Sequence, residues 1–197
     1  MIKGIKVMLI PNNKQNTKMF QYADAKRFAY NWALAKEQEN YKNGGKFISD
    51  NDLRKELTIL KKTEEYKWLN EVSNNVAKQA VKDANLARQR WFDGISGKPK
   101  FKCRRKSKIS FYVNYESLRR TKEGFQGEKI GIVRTYQALP KLKDGQKYSN
   151  PRISFDGKSW FLSVGYEKKF ESFELTGERL GIDVGIKELA VCSDGET

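Results

Sequence analysis

The residues with the clearest capacity for chemistry lie where an acid interrupts an apolar run. That run reads Leu180-Gly181-Ile182-Asp183-Val184-Gly185, followed by Leu189-Ala190-Val191-Cys192 and closed by Ser193-Asp194-Gly195. An apolar run with β-branched residues reads as a buried strand, and an ionised carboxylate there is costly unless a cation or hydrogen-bond donors compensate it. Gly181 and Gly185 flank the acid and allow close approach of a ligand or another backbone. Three readings are open at this point. Asp183 is the first metal ligand of a nuclease site, or a capping or turn Asp at a strand end. Alternatively the run is the opening strand of a sugar kinase, which also shows Gly-Ile-Asp-x-Gly.

The remaining composition narrows the chemistry. The 197 residues include no histidine, which excludes Ser-His-Asp catalysis, imidazole bases and His-containing zinc sites in this chain. Cys103 and Cys192 are far apart and form no Cys-x-x-Cys, so they read as reduced thiols and not as a zinc ribbon or redox pair. Hydrolytic chemistry here must use carboxylates, most simply with a hard, oxygen-loving cation such as magnesium.

Charge points to the partner. Lys and Arg number 39 against 24 Asp and Glu, a net charge of +15, which favours a polyanion. No stretch approaches the ~18 consecutive apolar residues of a spanning helix. Lys3, Lys6 and Lys14 also interrupt any cleavable apolar leader. Nucleic acid is therefore the expected partner, with no membrane, and the cytoplasm of a bacterium, at the nucleoid, the expected location.

The elements that must position these residues can be read in order. Residues 2–10 alternate as a strand and end at Pro11-Asn12-Asn13. A helix capped near Asn16 or Thr17 follows, with Met19, Tyr22, Ala23, Tyr30, Ala33 and Leu34 on one face, and Gly44-Gly45 stops it. Ser49 with Asp52 resembles a capping box opening a second helix that carries Leu53, Leu57 and Leu60. A third helix is expected from about Asn70 to Phe92, with Val72, Val76, Ala80, Ala84, Ala87 and Trp91 as its stripe. Short strands are expected at 109–113, 130–136, 152–155 and 159–164, the last two joined through Asp156-Gly157. A strand, three helices and a run of hairpins make an α+β chain, read as a helical insertion into a β-barrel.

Two surfaces suit nucleic acid. The third helix sets Asn75, Lys78, Gln79, Lys82, Asn85 and Gln89 opposite its core stripe, six residues with no acid among them. Lys neutralises phosphate, and Asn or Gln reads adenine bidentately in a major groove; the plainer alternative is a solvated helix face. Residues 98–108 hold seven cations in eleven positions: Lys98, Lys100, Lys102, Arg104, Arg105, Lys106 and Lys108, with Phe101 between them. That pattern suits backbone tracking with one stacking ring, against the alternative of a solvated linker. No Gly-rich phosphate motif is present, so the sugar-kinase reading loses ground.

Taken in order, these blocks resemble TnpB, the OrfB protein of bacterial insertion sequences, related to compact type V CRISPR effectors. The resemblance is carried by the Lys6–Pro11 strand, "AKRFAYNWALAKEQENY" (Ala25–Tyr41), "WLNEVSNNVAKQAVKDANLARQRWF" (Trp68–Phe92), "GKPKFKCRRKSKISF" (Gly97–Phe111) and "GIDVGIKELAVCSDG" (Gly181–Gly195). It implies an RNA-guided DNA endonuclease. The parts would be a wedge-like β-barrel (1–12 and 96–176), an inserted helical recognition bundle (13–95) and the first hairpin of an RNase-H-like RuvC domain (177–197).

By this resemblance Asp183 is the first RuvC aspartate, catalytic and a magnesium ligand. Asn75, Lys78, Gln79 and Lys82 fall on the helix that meets a short motif flanking the target duplex. Lys98, Lys100, Lys102, Arg104, Arg105 and Lys106 lie along the guide RNA, transcribed from the transposon end, or its heteroduplex. The family's later RuvC acids and its Cys₄ zinc ribbon are not in this sequence, where only Glu188, Asp194 and Glu196 follow Asp183. The chain is therefore expected to be an N-terminal piece, inactive as a nuclease alone. Two alternatives are a nuclease-dead RNA- and DNA-binding regulator, and a transposase subunit with a helix-turn-helix in residues 17–60.

Overall fold

The computed structural model describes residues 1–168, 181–183 and 191–193. Residues 2–168 make one compact unit, and the chain from 169 onward belongs to a second.

The first unit begins with strand β1 (Ile2–Ile10), whose alternation buries Val7 and Leu9. Pro11 ends it, and Asn12 caps helix α1 (Asn13–Lys42). The cap is a reciprocal box: Gln15 N–H donates to Asn12 Oδ1 (2.9 Å) and Asn12 N–H to Gln15 Oε1 (3.0 Å). The cap thus falls four residues before the expected Asn16. The Asn-x-x-Gln spacing was visible in the sequence, but the later Asn16-Thr17 pair competed with it as a cap. Met19, Tyr22, Ala23, Tyr30, Ala33 and Leu34 are buried as expected. Asn43 is the C-cap, and Gly44 takes the left-handed conformation that ends the helix.

Helix α2 (Asp50–Leu60) is capped by Ser49, whose Oγ accepts from Asp52 N–H at 3.2 Å and donates to the Asp52 carboxylate at 2.7 Å. Residues Glu64–Glu71 form a 3-10 segment. Helix α3 (Asn74–Phe92) therefore begins after, not at, Asn70. Its start is set by Ser73, whose Oγ accepts from Asn75 N–H (3.2 Å) and donates to Glu128 Oε2 (2.6 Å), a tertiary tie that sequence spacing cannot show.

The strands after the helices are β2 (Ser110–Tyr112), β3 (Arg119–Arg120), β4 (Gly124–Gly127), β5 (Gly131–Thr135), β6 (Ser149–Phe155) and β7 (Trp160–Glu167). Together with β1 they make one antiparallel sheet in the order β2-β6-β7-β1-β5-β4-β3. The expected barrel is thus corrected to an open sheet. Its edges, β2 and β3, are three and two residues long, too short for the ladder that closure requires. The long central pair, β1 with β7, runs in register from Ile2↔Glu167 to Leu9↔Trp160.

Strands β3 and β4 went unread in the sequence because they offer no alternating β-branched pattern. Gly124 is required in β4, where a Cβ would stand 2.0 Å from Val133 O. Between β6 and β7, Asp156 Oδ1 accepts from the N–H groups of Lys158 (2.9 Å) and Ser159 (2.8 Å), so the connection is a longer Asx-stabilised turn.

The start of α1 is fixed to the sheet by an aromatic cluster. Phe20 lies 5.0 Å from Trp160 and 5.3 Å from Phe155, and Tyr22 lies 5.0 Å from Phe111. Trp160 Nε1–H donates to Asn16 Oδ1 at 2.8 Å, and Tyr22 Oη–H to Glu128 O at 2.5 Å. Burial pushes the Tyr22 phenol up to about 12. Farther along, α1 and α3 enclose a buried ion pair, Arg88 Nε to Glu37 Oε2 at 3.4 Å, covered by the rings of Tyr41 and Phe92.

The second unit is represented by a two-stranded ladder of β8 (Ile182–Asp183) and β9 (Val191–Cys192), with Asp183 opposite Val191. Ser193 Oγ accepts from Gly181 N–H at 2.9 Å.

Candidate nucleic-acid interface

The spacing of α3 brings Lys78 and Lys82 to an exposed face, with Asn75 and Gln79 half-buried beside them. Asn85 does not join this face. It is buried, and its Nδ2 donates to Ile48 O at 2.9 Å, so it serves as a packing amide between α3 and the loop before α2. The face also carries an acid, contrary to the sequence reading. Asp83 lies one turn beyond Gln79, and Gln79 Nε2 donates to Asp83 Oδ1 at 2.8 Å. The helical period places i and i+4 together, and the sequence reading had left Asp83 off the stripe.

This bond gives the amide an orientation. With one Nε2 hydrogen held by Asp83, the other hydrogen and Oε1 remain to donate to adenine N7 and accept from N6. Gln79→Ala is expected to relax discrimination between the correct and mutated flanking motif by ~1–3 kcal/mol. Lys78→Ala is expected to weaken binding to both duplexes alike. Competition binding with the two duplexes checks both outcomes, and equal losses for Gln79→Ala would return this face to plain solvation.

The 98–108 segment is anchored, not a solvated linker. Asn31 of α1 grips Lys102 twice, Nδ2 donating to Lys102 O and Oδ1 accepting from Lys102 N–H, both at 2.8 Å. Ser107 N–H donates to Cys103 O, and Cys103 N–H to Ser107 Oγ, each at 3.0 Å. The turn so closed presents Arg104, Arg105 and Lys106 to solvent. Lys98 and Lys100 are exposed too, Lys98 Nζ lying 5.7 Å above the Trp91 ring. Phe101, 52% exposed, remains available for stacking. Cys103 is a free exposed thiol.

Anchoring creates a cleft of about 560 Å³ between the segment, α1 and α3. Lys26 and Arg27 of α1 face Lys102, Arg104 and Lys106 across it, with Asp83 at its wall. Burial lowers the Lys26 pKa, Asp83 opposes that shift, and Arg152, Lys102 and Lys108 reinforce it. Lys26, Arg27 and Arg152 were missed in the sequence. Lys26, a cation on the α1 core stripe midway between Tyr22 and Tyr30, was the available signal, but the residues it faces come from distant segments.

Asp183 occupies a different setting from the one expected. Gly181, Ile182 and Asp183 are all exposed, Ile182 at 60%, so the carboxylate is not buried in an apolar strand. Gly185, Glu188, Asp194 and Glu196 lie outside the described residues. Among the described residues no three His, Cys, Asp or Glu side chains come together as a metal cluster. One carboxylate does not fit the two-metal arrangement.

The class that fold and site define is a mixed α/β protein with an open antiparallel sheet, a helical layer inserted after its first strand, and a cation-lined face. No helix among the described residues is long and apolar enough to cross a membrane. The family model described as a helix-turn-helix domain of the OrfB/IS605 group matches residues 1–46. Along 98% of its length the chain is 27% identical to "Putative RNA-guided DNA endonuclease InsQ" of Escherichia coli K12. It is 26% identical, again over 98%, to a "Putative RNA-guided DNA endonuclease" of Streptomyces pristinaespiralis. The chain covers 48% of each, so it spans about half the length of these curated relatives. Its similarity to these two sequences runs along nearly its whole length, whereas the OrfB/IS605 model matches its first 46 residues.

Residues 1–46 fold as β1 and a single helix. The connection from α1 to α2 runs from Asn43 to Ser49, longer than the ~3–4-residue turn of a DNA-reading helix-turn-helix. That geometry does not favour the transposase-subunit reading over 17–60.

Proposed function

We propose that this chain supplies the nucleic-acid-binding surface of a transposon-encoded, RNA-guided DNA endonuclease. It holds a guide RNA from the transposon end and a target duplex carrying a short flanking motif, in a bacterial cytoplasm. The observation that carries this reading is the anchored cation cleft where α1, α3 and the 98–108 segment meet, in a chain of net charge +15. Lys98, Lys100, Lys102, Arg104, Arg105 and Lys106 track the phosphate backbone. Asn75, Lys78, Gln79 and Lys82 meet the flanking duplex. The names of the relatives support the RNA-guided activity.

Asp183 is proposed as the first carboxylate of a magnesium-dependent RuvC-type site whose other ligands this chain's described residues do not provide. A nuclease-dead regulator would use the same binding surface, and a Glu and a later Asp on further strands, present in a nuclease and lost in a regulator, are what separate the two. Zinc belongs to neither binding surface of this chain.

Salt dependence tests the binding reading. If about six phosphates are contacted, log K falls against log[salt] with a slope near −4 to −5, at ~0.7–0.9 per contact. Replacing Arg104, Arg105 and Lys106 together by Ala flattens the slope by roughly 2–3 units. Fluorescence anisotropy with labelled RNA and duplex DNA measures both, and a flat titration of the unsubstituted chain would overturn the reading.

A further inference from the structure

A second groove, of about 710 Å³, lies between α2, the 3-10 segment and the start of α3, away from the 98–108 cleft. Its lining includes Lys61, Lys62 and Lys78. Lys61 is only 7% exposed, and the one described hydrogen bond of its ammonium runs from Nζ to the neutral Asn74 Oδ1 at 2.6 Å. Lys129 reaches the same neighbourhood, Nζ donating to the Asn70 and Val72 carbonyls at 2.7 and 3.2 Å. The cations Arg54 and Lys67 at the rim are already matched, to Asp50 and Glu64.

None of Lys61, Lys62, Lys78 and Lys129 has a carboxylate partner among the described residues. Buried charge normally carries a counter-charge. Here burial lowers the Lys61 pKa, and Lys78 and Lys129 lower it further, with no acid opposing them. No described residue supplies the groove's counter-charge, and an anion bound from outside the chain would supply it. A convergent set of ammonium groups suits the compact charge of a phosphate better than the planar fork of a carboxylate, which Arg prefers.

We infer that this groove is a phosphodiester-binding site, in which Lys61, Lys62 and Lys78 neutralise a backbone phosphate of the duplex presented to α3. The inference rests on the nucleic-acid-binding reading above and adds a contact away from the basic segment. Bound phosphate supplies the counter-charge that Lys61 lacks, so the lysine turns from a destabilising group into a ligand. Lys78, shared between groove and exposed helix face, places that phosphate next to the base edge available to Gln79.

Lys61→Met keeps the aliphatic stem and removes the charge. In anisotropy titrations of the 197-residue chain with labelled duplex DNA, this variant is expected to lower the magnitude of the salt slope by about one unit. Its melting temperature without DNA should equal or exceed that of the unsubstituted chain. Lys62→Met, at an exposed lining position, should give a like loss of slope and keeps the test valid should Lys61→Met not fold. A steep unsubstituted titration left unchanged by both variants overturns this inference alone, whereas a flat unsubstituted titration overturns the parent reading with it. Inorganic phosphate at matched ionic strength forms the second arm. A phosphate-dependent rise in melting temperature that Lys61→Met abolishes, with no change in the DNA slope, would assign the groove to free phosphate and overturn the phosphodiester assignment.

Discussion

Asp183→Ala is expected to reduce target cleavage to background in an endonuclease of the relatives' full length that contains this chain, while leaving guide RNA and target DNA bound at unsubstituted levels. The reason is the division of labour between the two units. Every cation of the proposed interface lies within residues 2–168, and Asp183 lies in the β8–β9 ladder of the other unit. In the complete site Asp183 would be one of the carboxylates holding a magnesium ion, which would supply charge stabilisation to the reacting phosphate, and it would make no contact with the nucleic-acid backbone. Because Asp183 is exposed, its truncation should shift stability by no more than ~0.5 kcal/mol. A burial strain relieved by truncation, which an apolar strand would have implied, is not expected. Guided cleavage with purified protein, paired with filter binding, measures the two outcomes. Cleavage at an undiminished rate by Asp183→Ala would return Asp183 to a strand-end role, whereas absence of cleavage by the unsubstituted protein would favour the regulator reading.

Arg88→Met should destabilise the first unit by about 3–5 kcal/mol at neutral pH, because it leaves Glu37 buried without its partner. Both side chains are at most 5% exposed, and neither Glu37 oxygen nor Arg88 Nε makes a hydrogen bond among the described residues. The pair is thus held by charge and by the covering rings of Tyr41 and Phe92, 5.4 and 5.2 Å from the guanidinium. Even with Arg88 present, burial raises the Glu37 pKa above its ordinary 4.5, against the lowering effects of the guanidinium and, less strongly, of the nearby Ile48 N–H.

Removing that guanidinium raises it further, which fixes the direction of the pH dependence. A carboxyl whose folded pKa exceeds its unfolded one destabilises fully above the folded value. The penalty shrinks as pH falls toward 4.5. Urea melts at pH 7 and pH 5 should therefore show a smaller loss for Arg88→Met at the lower pH. Replacing both partners by apolar residues, Glu37→Leu with Arg88→Met, should be near neutral. A pH-independent loss would mean that packing of the arginine stem, not its charge, holds α1 to α3.

Periodicity and charge are local quantities, and they determined much of this protein by themselves. The buried stripe of α1, the Val76, Ala80 and Ala84 part of the α3 stripe, the Ser49 cap, the strand at residues 2–10 and the cationic 98–108 run follow from residue order alone, because helical and strand periods decide which side chains share a face. The ordered blocks from Ala25 to Gly195 likewise sufficed to point to the family.

Tertiary structure decided whatever depends on residues far apart in sequence. The sheet stays open because its edge strands are two and three residues long. Helix α3 begins at Asn74 because Ser73 is tied to Glu128. The 98–108 run becomes a cleft wall and not a linker because Asn31, on α1, pins Lys102. Lys61 becomes a buried ammonium without an acid only when α2 and α3 pack side by side. Each of these turns on a hydrogen bond, a ladder or a burial between distant segments, and such pairings leave no period in the chain.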